Sequence, residues 1–364
     1  MATSGNARVT GEPAALPAIV LTTRRKILFA SVAFLLFASS TVAGCVALDV
    51  YARHRARGLG LNAWGYRGPA IGRKQPGEAR IAALGGSTVF GYGVAWTEAW
   101  PFYLERRIKA SRHQRATLAN LGMPRDSAAT FAATLDDYAY LKCDLVIFYE
   151  GYNDLETTPA DDTSQGAVAH YLTWRHQSPI FRWTGYFPIL PLVLSEKAMQ
   201  LMHGGDLNAA YDSRAIVFRP GLATRVTAGA LKATADMQIA LERRFGRLSP
   251  DGDSAAANDD STCGRWSQYC GAVQQGVRHA RERGQQVIVV TQPYLSDLHI
   301  DQQRALAASL QREFAGDSGV RHVNLGHLLD LHDPQVAYDG LHLTSSGNER
   351  IAAALAPSVL EMLR

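Results

Sequence analysis

Three short apolar runs in this chain each stop at a glycine. Arg80-Ile81-Ala82-Ala83-Leu84 stops at Gly85-Gly86, Thr117-Leu118-Ala119-Asn120-Leu121 at Gly122, and Asp144-Leu145-Val146-Ile147-Phe148-Tyr149 at Gly151. Runs of this length, bounded by turn residues, read as strands buried on both faces. Residues 97–110 and 126–140 lie between them with helical character. Gln286 to Thr291 is a fourth such run, stopped at Pro293, and Val320 to Asn324 a fifth. Residues 300–315 read as a helix between those two, and Ser345 to Arg364 as a closing helix. Strands that alternate with helices predict a parallel sheet covered on both faces. Ligands of such sheets bind beyond the carboxyl ends of the strands, where these glycines fall.

Composition narrows the function classes. Of 364 residues, 47% are hydrophobic and 19% charged, which excludes a mainly disordered chain. The net charge of +4 gives no argument for nucleic acid. Four cysteines in this length cannot form a disulfide scaffold. No internal repeat is present.

The N-terminus carries a membrane signal. Ile27 to Leu48 has 22 residues without a charge. At about 1.5 Å per residue it would span roughly 33 Å as a helix, enough for a bilayer core. Arg24, Arg25 and Lys26 precede it and Arg53, Arg55 and Arg57 follow it, so charge alone does not orient it. Three fates fit: a single-pass anchor, a cleaved signal, or lipidation at Cys45 in the lipobox-like Val42-Ala43-Gly44-Cys45. The anchor is the first choice, with the domain in the periplasm or outside a bacterial inner membrane. The domain plan is a tail at 1–26, the apolar segment at 27–48, a basic, Gly-rich stalk at 49–78, and an α/β domain at 79–364. Residues 155–270 interrupt the alternation. They hold an aromatic cluster (Tyr171, Trp174, Phe181, Trp183, Tyr186, Phe187), a helical stretch at 223–245 and an acidic loop at 251–260. This insertion reads as a cap over the site, or as an ornament on one edge.

Four places carry chemistry. Ser87 follows Gly85-Gly86 where a strand turns into a helix, a turn that exposes a hydroxyl. The surrounding glycines lack the spacing of a phosphate loop. A serine hydroxyl needs a base, and Asp339-Gly340-Leu341-His342 supplies a histidine with a carboxylate three residues before it. Asn153, in Gly151-Tyr152-Asn153-Asp154, can donate its amide to a developing oxyanion, and Gly122 can offer a backbone N–H to the same point. Taken singly, each of these fits ordinary turn chemistry. His322, His327 and His332 do not have the spacing of a metal site, and no metal or cofactor is expected. Cys263 and Cys270 could pair in an oxidising compartment, while Cys143 reads as buried and inert.

In combination and in this order, the blocks Leu84-Gly85-Gly86-Ser87-Thr88, Asn120-Leu121-Gly122, Gly151-Tyr152-Asn153-Asp154 and Asp339-Gly340-Leu341-His342 resemble the SGNH hydrolases, or GDSL-like esterases. The resemblance covers roughly 79–154 and 286–364. It implies a flavodoxin-like three-layer α/β/α domain. It also implies a catalytic Ser87, Asp339 and His342, with an oxyanion hole from Ser87, Gly122 and Asn153. The GDSL form has Asp before the serine where this chain has Gly86. That form, with Asn62-Ala63-Trp64-Gly65-Tyr66-Arg67-Gly68, is similar to the membrane-anchored bacterial branch. The expected activity is hydrolysis of an ester, acetyl or another short acyl group, on a cell-envelope glycan or small ester. Transfer of the acyl group to a sugar hydroxyl is the alternative. A non-catalytic glycan-binding or assembly protein is the third reading. The intact polar residues count against it.

Overall fold

The computed structural model describes residues 22–55, 60–111, 115–124, 126–155, 179–191, 194 and 263–363. Two compact units result, Met1–Val50 and Tyr51–Arg364.

The apolar run lies in helix α1 (Thr23–Arg55), a helix that falls mostly within the first unit and is long and apolar enough to cross a membrane. Its side chains from Ile27 to Val50 are largely exposed. The hydroxyls of Ser40 and Thr41 donate to the carbonyls of Leu36 and Phe37, so these polar groups are satisfied inside the helix itself. Cys45 is exposed on this helix.

The second unit is built in chain order from β1 (Arg80–Gly85), α2 (Ser87–Phe90), α3 (Trp100–Ala110), β2 (Thr117–Asn120), α4 (Phe131–Asp137), β3 (Leu145–Tyr149), α5 (Pro179–Thr184), α6 (Ser267–Glu282), β4 (Gln286–Thr291), α7 (Asp297–Glu313), β5 (Val320–Asn324) and α8 (Ser345–Met362). The five strands are parallel in the order β2-β1-β3-β4-β5. Alternate strand residues feed two cores. Ala82, Leu84, Val146, Phe148, Val287 and Val289 pack with α4, α6 and α7. Ile81, Ala83, Ile147, Tyr149, Ile288 and Val290 pack with α3 and α8. This is the expected three-layer α/β/α arrangement. The strand order reverses at β1, so the crevice for a ligand lies between the carboxyl ends of β1 and β3.

The expected stalk is different. From residue 60 onward it belongs to the domain. Leu61 pairs with Arg67, and Arg67 pairs with Asn120 at the end of β2. Tyr66 is buried, and the guanidinium of Arg67, 5% exposed, donates to the carbonyls of Phe90, Gly91 (2.6 Å) and Val94 (2.5 Å). A basic residue that satisfies three carbonyls can be buried, whereas composition alone reads it as solvated. The expected helix over 126–140 is also different. It is one α-helical segment, α4, flanked by 3-10 turns at Ala128–Thr130 and Ala139–Leu141.

The insertion's downstream boundary lies earlier than 270. Helix α6 begins at Ser267, and Cys263, Trp266, Tyr269 and Cys270 are core residues. Cys263 and Cys270 are joined by a disulfide. Upstream, α5 and the residues after it put Phe181, Phe187 and Ile189 into the core beside Tyr66 and Tyr138. Tyr171, Trp174, the stretch 223–245 and the loop 251–260 lie outside the described residues.

Candidate active site

Gly85 closes β1 with φ 152°, and a Cβ there would run into the carbonyl of Tyr149, so the strand can turn sharply into α2 only with glycine. Ser87 is the first residue of α2. Its N–H therefore has no carbonyl partner within the helix. The turn after α2 is held by Arg67 from outside and by Asn120 Nδ2, which donates to the Val89 carbonyl at 2.9 Å.

The second half of the site comes from the loop before α8. Tyr338 N donates to the His342 carbonyl at 3.1 Å, and Thr344 N donates to Val336 at 2.8 Å. Thr344 caps α8 by accepting the Gly347 N–H at 3.2 Å. Asn348 then ties α8 to α3 by accepting the Trp100 N–H at 2.9 Å. The loop 336–344 is thus fixed at both ends, and it presents Asp339 and His342 to Ser87.

Ser87, His342 and Asp339 form a hydrogen-bonded chain. His342 Nε2 lies 2.8 Å from Ser87 Oγ, and His342 Nδ1 lies 2.7 Å from Asp339 Oδ2. Asp339 Oδ1 also accepts the backbone N–H groups of Leu341 at 3.0 Å and His342 at 2.6 Å. Burial pushes the Asp339 pKa up, but the neighbouring His342 and these hydrogen bonds outweigh it and hold the carboxyl below the usual range. Tyr92 flanks the imidazole with ring centroids 4.8 Å apart, and Tyr338 stacks at 6.0 Å. Such a chain can take a proton from the serine hydroxyl and stabilise the imidazolium that results.

Asn153 sits in a 3-10 turn, Tyr152–Asp154, just after β3. Its Nδ2 donates to the Asp126 carbonyl at 2.7 Å, which leaves the second amide hydrogen for another acceptor. The amide lies against the α-carbon of Gly86, where any Cβ would overlap it. The Gly122 N–H donates to Asn120 Oδ1 at 3.1 Å, and the Gly122 α-carbon packs on Val89 and Phe90 of α2, the helix that Ser87 opens. The Asn120 side chain turns back on its own loop to accept that N–H.

Several supporting residues were not legible in the sequence. Gln292, after β4, accepts the Tyr152 N–H at 3.2 Å and donates to Thr88 Oγ1 at 3.1 Å, which links the Ser87 and Asn153 loops. Gln302 donates to the Gly151 carbonyl at 3.1 Å. Glu150 is 4% exposed beneath both loops. Burial and the nearby Asp154 carboxyl push its pKa well up, while the N–H groups of Gly151, Asn153 and Gly86 pull the other way. The three histidines His322, His327 and His332 have ordinary partners here. His322 meets Thr291 Oγ1 at 2.9 Å, His327 packs on Tyr294, and His332 meets Asp330 at 3.2 Å. Among the described residues no group of three His, Cys, Asp or Glu could hold a metal ion. Cys143 is half-buried rather than buried, and desolvation raises its pKa to about 12, so its thiol stays protonated at neutral pH.

A doubly covered parallel sheet with a Ser–His–Asp chain at its carboxyl edge has the parts of a serine hydrolase. The chain belongs to the GDSL-like Lipase/Acylhydrolase family, whose model matches residues 83–350. It is an enzyme of the ester-cleaving serine hydrolase type. Solved structures to which it is similar include a GDSL-like lipase from Bacteroides thetaiotaomicron, at 12% identity over 81% of this chain and 93% of that one, with a TM-score of 0.39. A lipase/acylhydrolase from Enterococcus faecalis is similar at 12% identity, 78% and 96% coverage, and a TM-score of 0.40. A catalytic mutant of an acetylxylan esterase from Geobacillus stearothermophilus is similar at 12% identity, 77% and 94% coverage, and a TM-score of 0.40. No curated protein sequence matches the chain.

Proposed function

We propose that this protein is an esterase that removes a short acyl group, acetyl first, through an acyl-Ser87 intermediate. The observation that carries the reading is the unbroken path from Ser87 Oγ through His342 to Asp339, at 2.8 and 2.7 Å. Ser87 Oγ attacks the ester carbonyl as His342 Nε2 takes its proton. The carbonyl oxygen gains negative charge and accepts hydrogen bonds from the Ser87 N–H and the Asn153 amide. His342 then gives the proton to the departing alcohol. In the second half His342 activates water, which attacks the acyl carbon and releases Ser87. Asp339 holds the imidazole in the tautomer that this requires and stabilises its charged form.

Among the described residues, the rings of Tyr92 and Tyr338 flank His342, and the Asn153 amide lies against Gly86, next to Ser87. Aromatic and amide groups this close to the reacting atoms favour a short acyl group over a long chain. An acylated cell-envelope carbohydrate is the proposed substrate class, with Ile27–Leu48 as a single membrane anchor and the domain outside the inner membrane. Transfer to a sugar hydroxyl would use the same residues and differ only in the acceptor.

The test is turnover of p-nitrophenyl esters of two, four and eight carbons by the full chain, beside Ser87→Ala. Two-carbon turnover that disappears in the variant is the expected result. A preference for eight carbons would move the substrate class to lipids. An inactive wild type that nevertheless acylates a glycan acceptor would establish transfer instead. Equal turnover by wild type and Ser87→Ala would overturn the reading.

A further inference from the structure

Glu150 joins the two loops that carry the reacting groups. Its Oε2 accepts the N–H of Gly86, the residue immediately before Ser87. Its Oε1 accepts the N–H of Gly151 at 3.0 Å and that of Asn153 at 3.2 Å. One buried carboxyl group therefore spans from the β1 loop to the β3 loop. It is itself held in place, because the Glu150 carbonyl accepts the Tyr269 hydroxyl at 2.8 Å and Tyr269 accepts Gln303 Nε2 at 3.0 Å. Gly86 is part of the same packing. A Cβ at position 86 would lie 2.7 Å from Glu150 Oε2 as well as overlapping the Asn153 amide. The room a side chain before Ser87 would need is filled by a carboxyl group that arrives from the neighbouring strand.

We propose that Glu150 is a positioning residue that fixes the Asn153 amide relative to the Ser87 N–H. This rests on the reading of Ser87 as nucleophile. Two donors that stabilise one developing oxyanion must converge on it, and a displacement of about 1 Å can cost on the order of 100-fold in rate. Ser87 and Asn153 lie on different loops, each following a different strand. The carboxyl group holds both from below with three hydrogen bonds that involve neither substrate nor the imidazole. Both its oxygens accept. An amide in the same place cannot do this, since whichever way it turns its NH2 faces an N–H.

Glu150→Gln keeps the volume and removes one acceptor, so it tests the arrangement rather than the packing. The experiment measures kcat and KM on the best p-nitrophenyl ester for wild type, Glu150→Gln, Asn153→Ala and the double variant. Titration with a p-nitrophenyl phosphonate counts competent Ser87 sites, so a partly unfolded sample does not imitate a slow one. Glu150→Gln is expected to lower kcat roughly 30- to 100-fold with KM changed less than about threefold. In the Asn153→Ala background the same substitution should cost less than about threefold, because the donor it positions is gone. Glu150→Asp keeps the carboxyl group but is one methylene short, and should show an intermediate loss with the same background dependence. Wild-type kcat in Glu150→Gln overturns the proposal, and so does an equal loss in both backgrounds. If neither Glu150 variant yields titratable sites, the group serves folding and the proposal is likewise overturned. Ser87→Ala is run beside them. If it keeps wild-type turnover, the reading of the site fails. If it is dead while Glu150→Gln is fully active, only the Glu150 proposal fails.

Discussion

Asp339 grips His342 twice. One carboxylate oxygen lies 2.7 Å from the ring nitrogen Nδ1, and the other accepts the backbone N–H of the same residue at 2.6 Å. Ring and backbone are thus fixed by one side chain three residues away, with Tyr92 and Tyr338 against the imidazole. A histidine held this way has little freedom to swing off Ser87.

Asp339→Asn is expected to lower kcat by about 10³- to 10⁴-fold, because an amide no longer favours the reactive tautomer or its charged form. The carboxyl of Asp339 is held below the usual range. Such a group contributes stability above its unfolded pKa of about 3.9, and that contribution is lost as pH falls through the lower folded value. Asp339 therefore stays ionised from pH 5 to 8. The wild-type kcat profile over that window should carry no inflection from Asp339 itself. Steady-state rates from pH 5 to 8 for both proteins check this.

Gly86→Ala should fold but lose about 10²- to 10³-fold in kcat, the effect of one missing oxyanion donor. The added methyl overlaps the Asn153 amide and meets Glu150 Oε2 at 2.7 Å, so the amide must move. Circular dichroism for the fold, beside kcat on a two-carbon ester, separates this from unfolding. A variant with wild-type kcat would show that the amide has somewhere to go.

His299 is fully buried beside Tyr152, and burial lowers its pKa to about 3. The unfolded chain takes up this proton near pH 6.5, while the native protein resists it. Stability from this group is complete above about pH 6.5 and is lost as pH falls toward 3, at up to about 1.4 kcal/mol per pH unit. Between pH 6 and pH 4.5 the loss is about 2 kcal/mol. His299→Gln should lack that part of the acid slope. Urea unfolding at the two pH values, for both proteins, gives the difference directly.

The disulfide between Cys263 and Cys270 closes a short loop, with a sequence separation of 7. Chain entropy assigns such a loop roughly 2.5 kcal/mol. Replacing both cysteines by serine should lower stability by about that amount, and a reductant should lower the melting temperature of wild type but not of the double variant.

How much of this could be read in the residues depended on locality. The strands were legible because each is apolar on both faces and stops at a turn residue. Asp339 and His342 were legible because they sit three apart before a helix. Helix α6 was missed although Tyr269, Val273, Val277 and Ala280 recur at helical spacing, since the boundary was drawn at 270, inside it. Glu150 and Arg67 were hidden for a different reason. A charged residue beside a glycine reads as solvated, and only the backbone groups that converge on it from distant segments reveal that it is buried. The hydrogen bond from the Gly122 N–H to Asn120 Oδ1 was hidden in the same way, since nothing local says that the side chain will turn back on its own loop.

Ser87 and His342 are 255 residues apart. At about 5–20 residues per second of translation, the serine emerges roughly ten to fifty seconds before its base. During that interval the strand that delivers Ser87 can already pair, but the hydroxyl has nothing to take its proton. His342 can reach Ser87 only once the α8 end of the chain has docked, so the newly made chain carries a serine without its base until that stretch is in place.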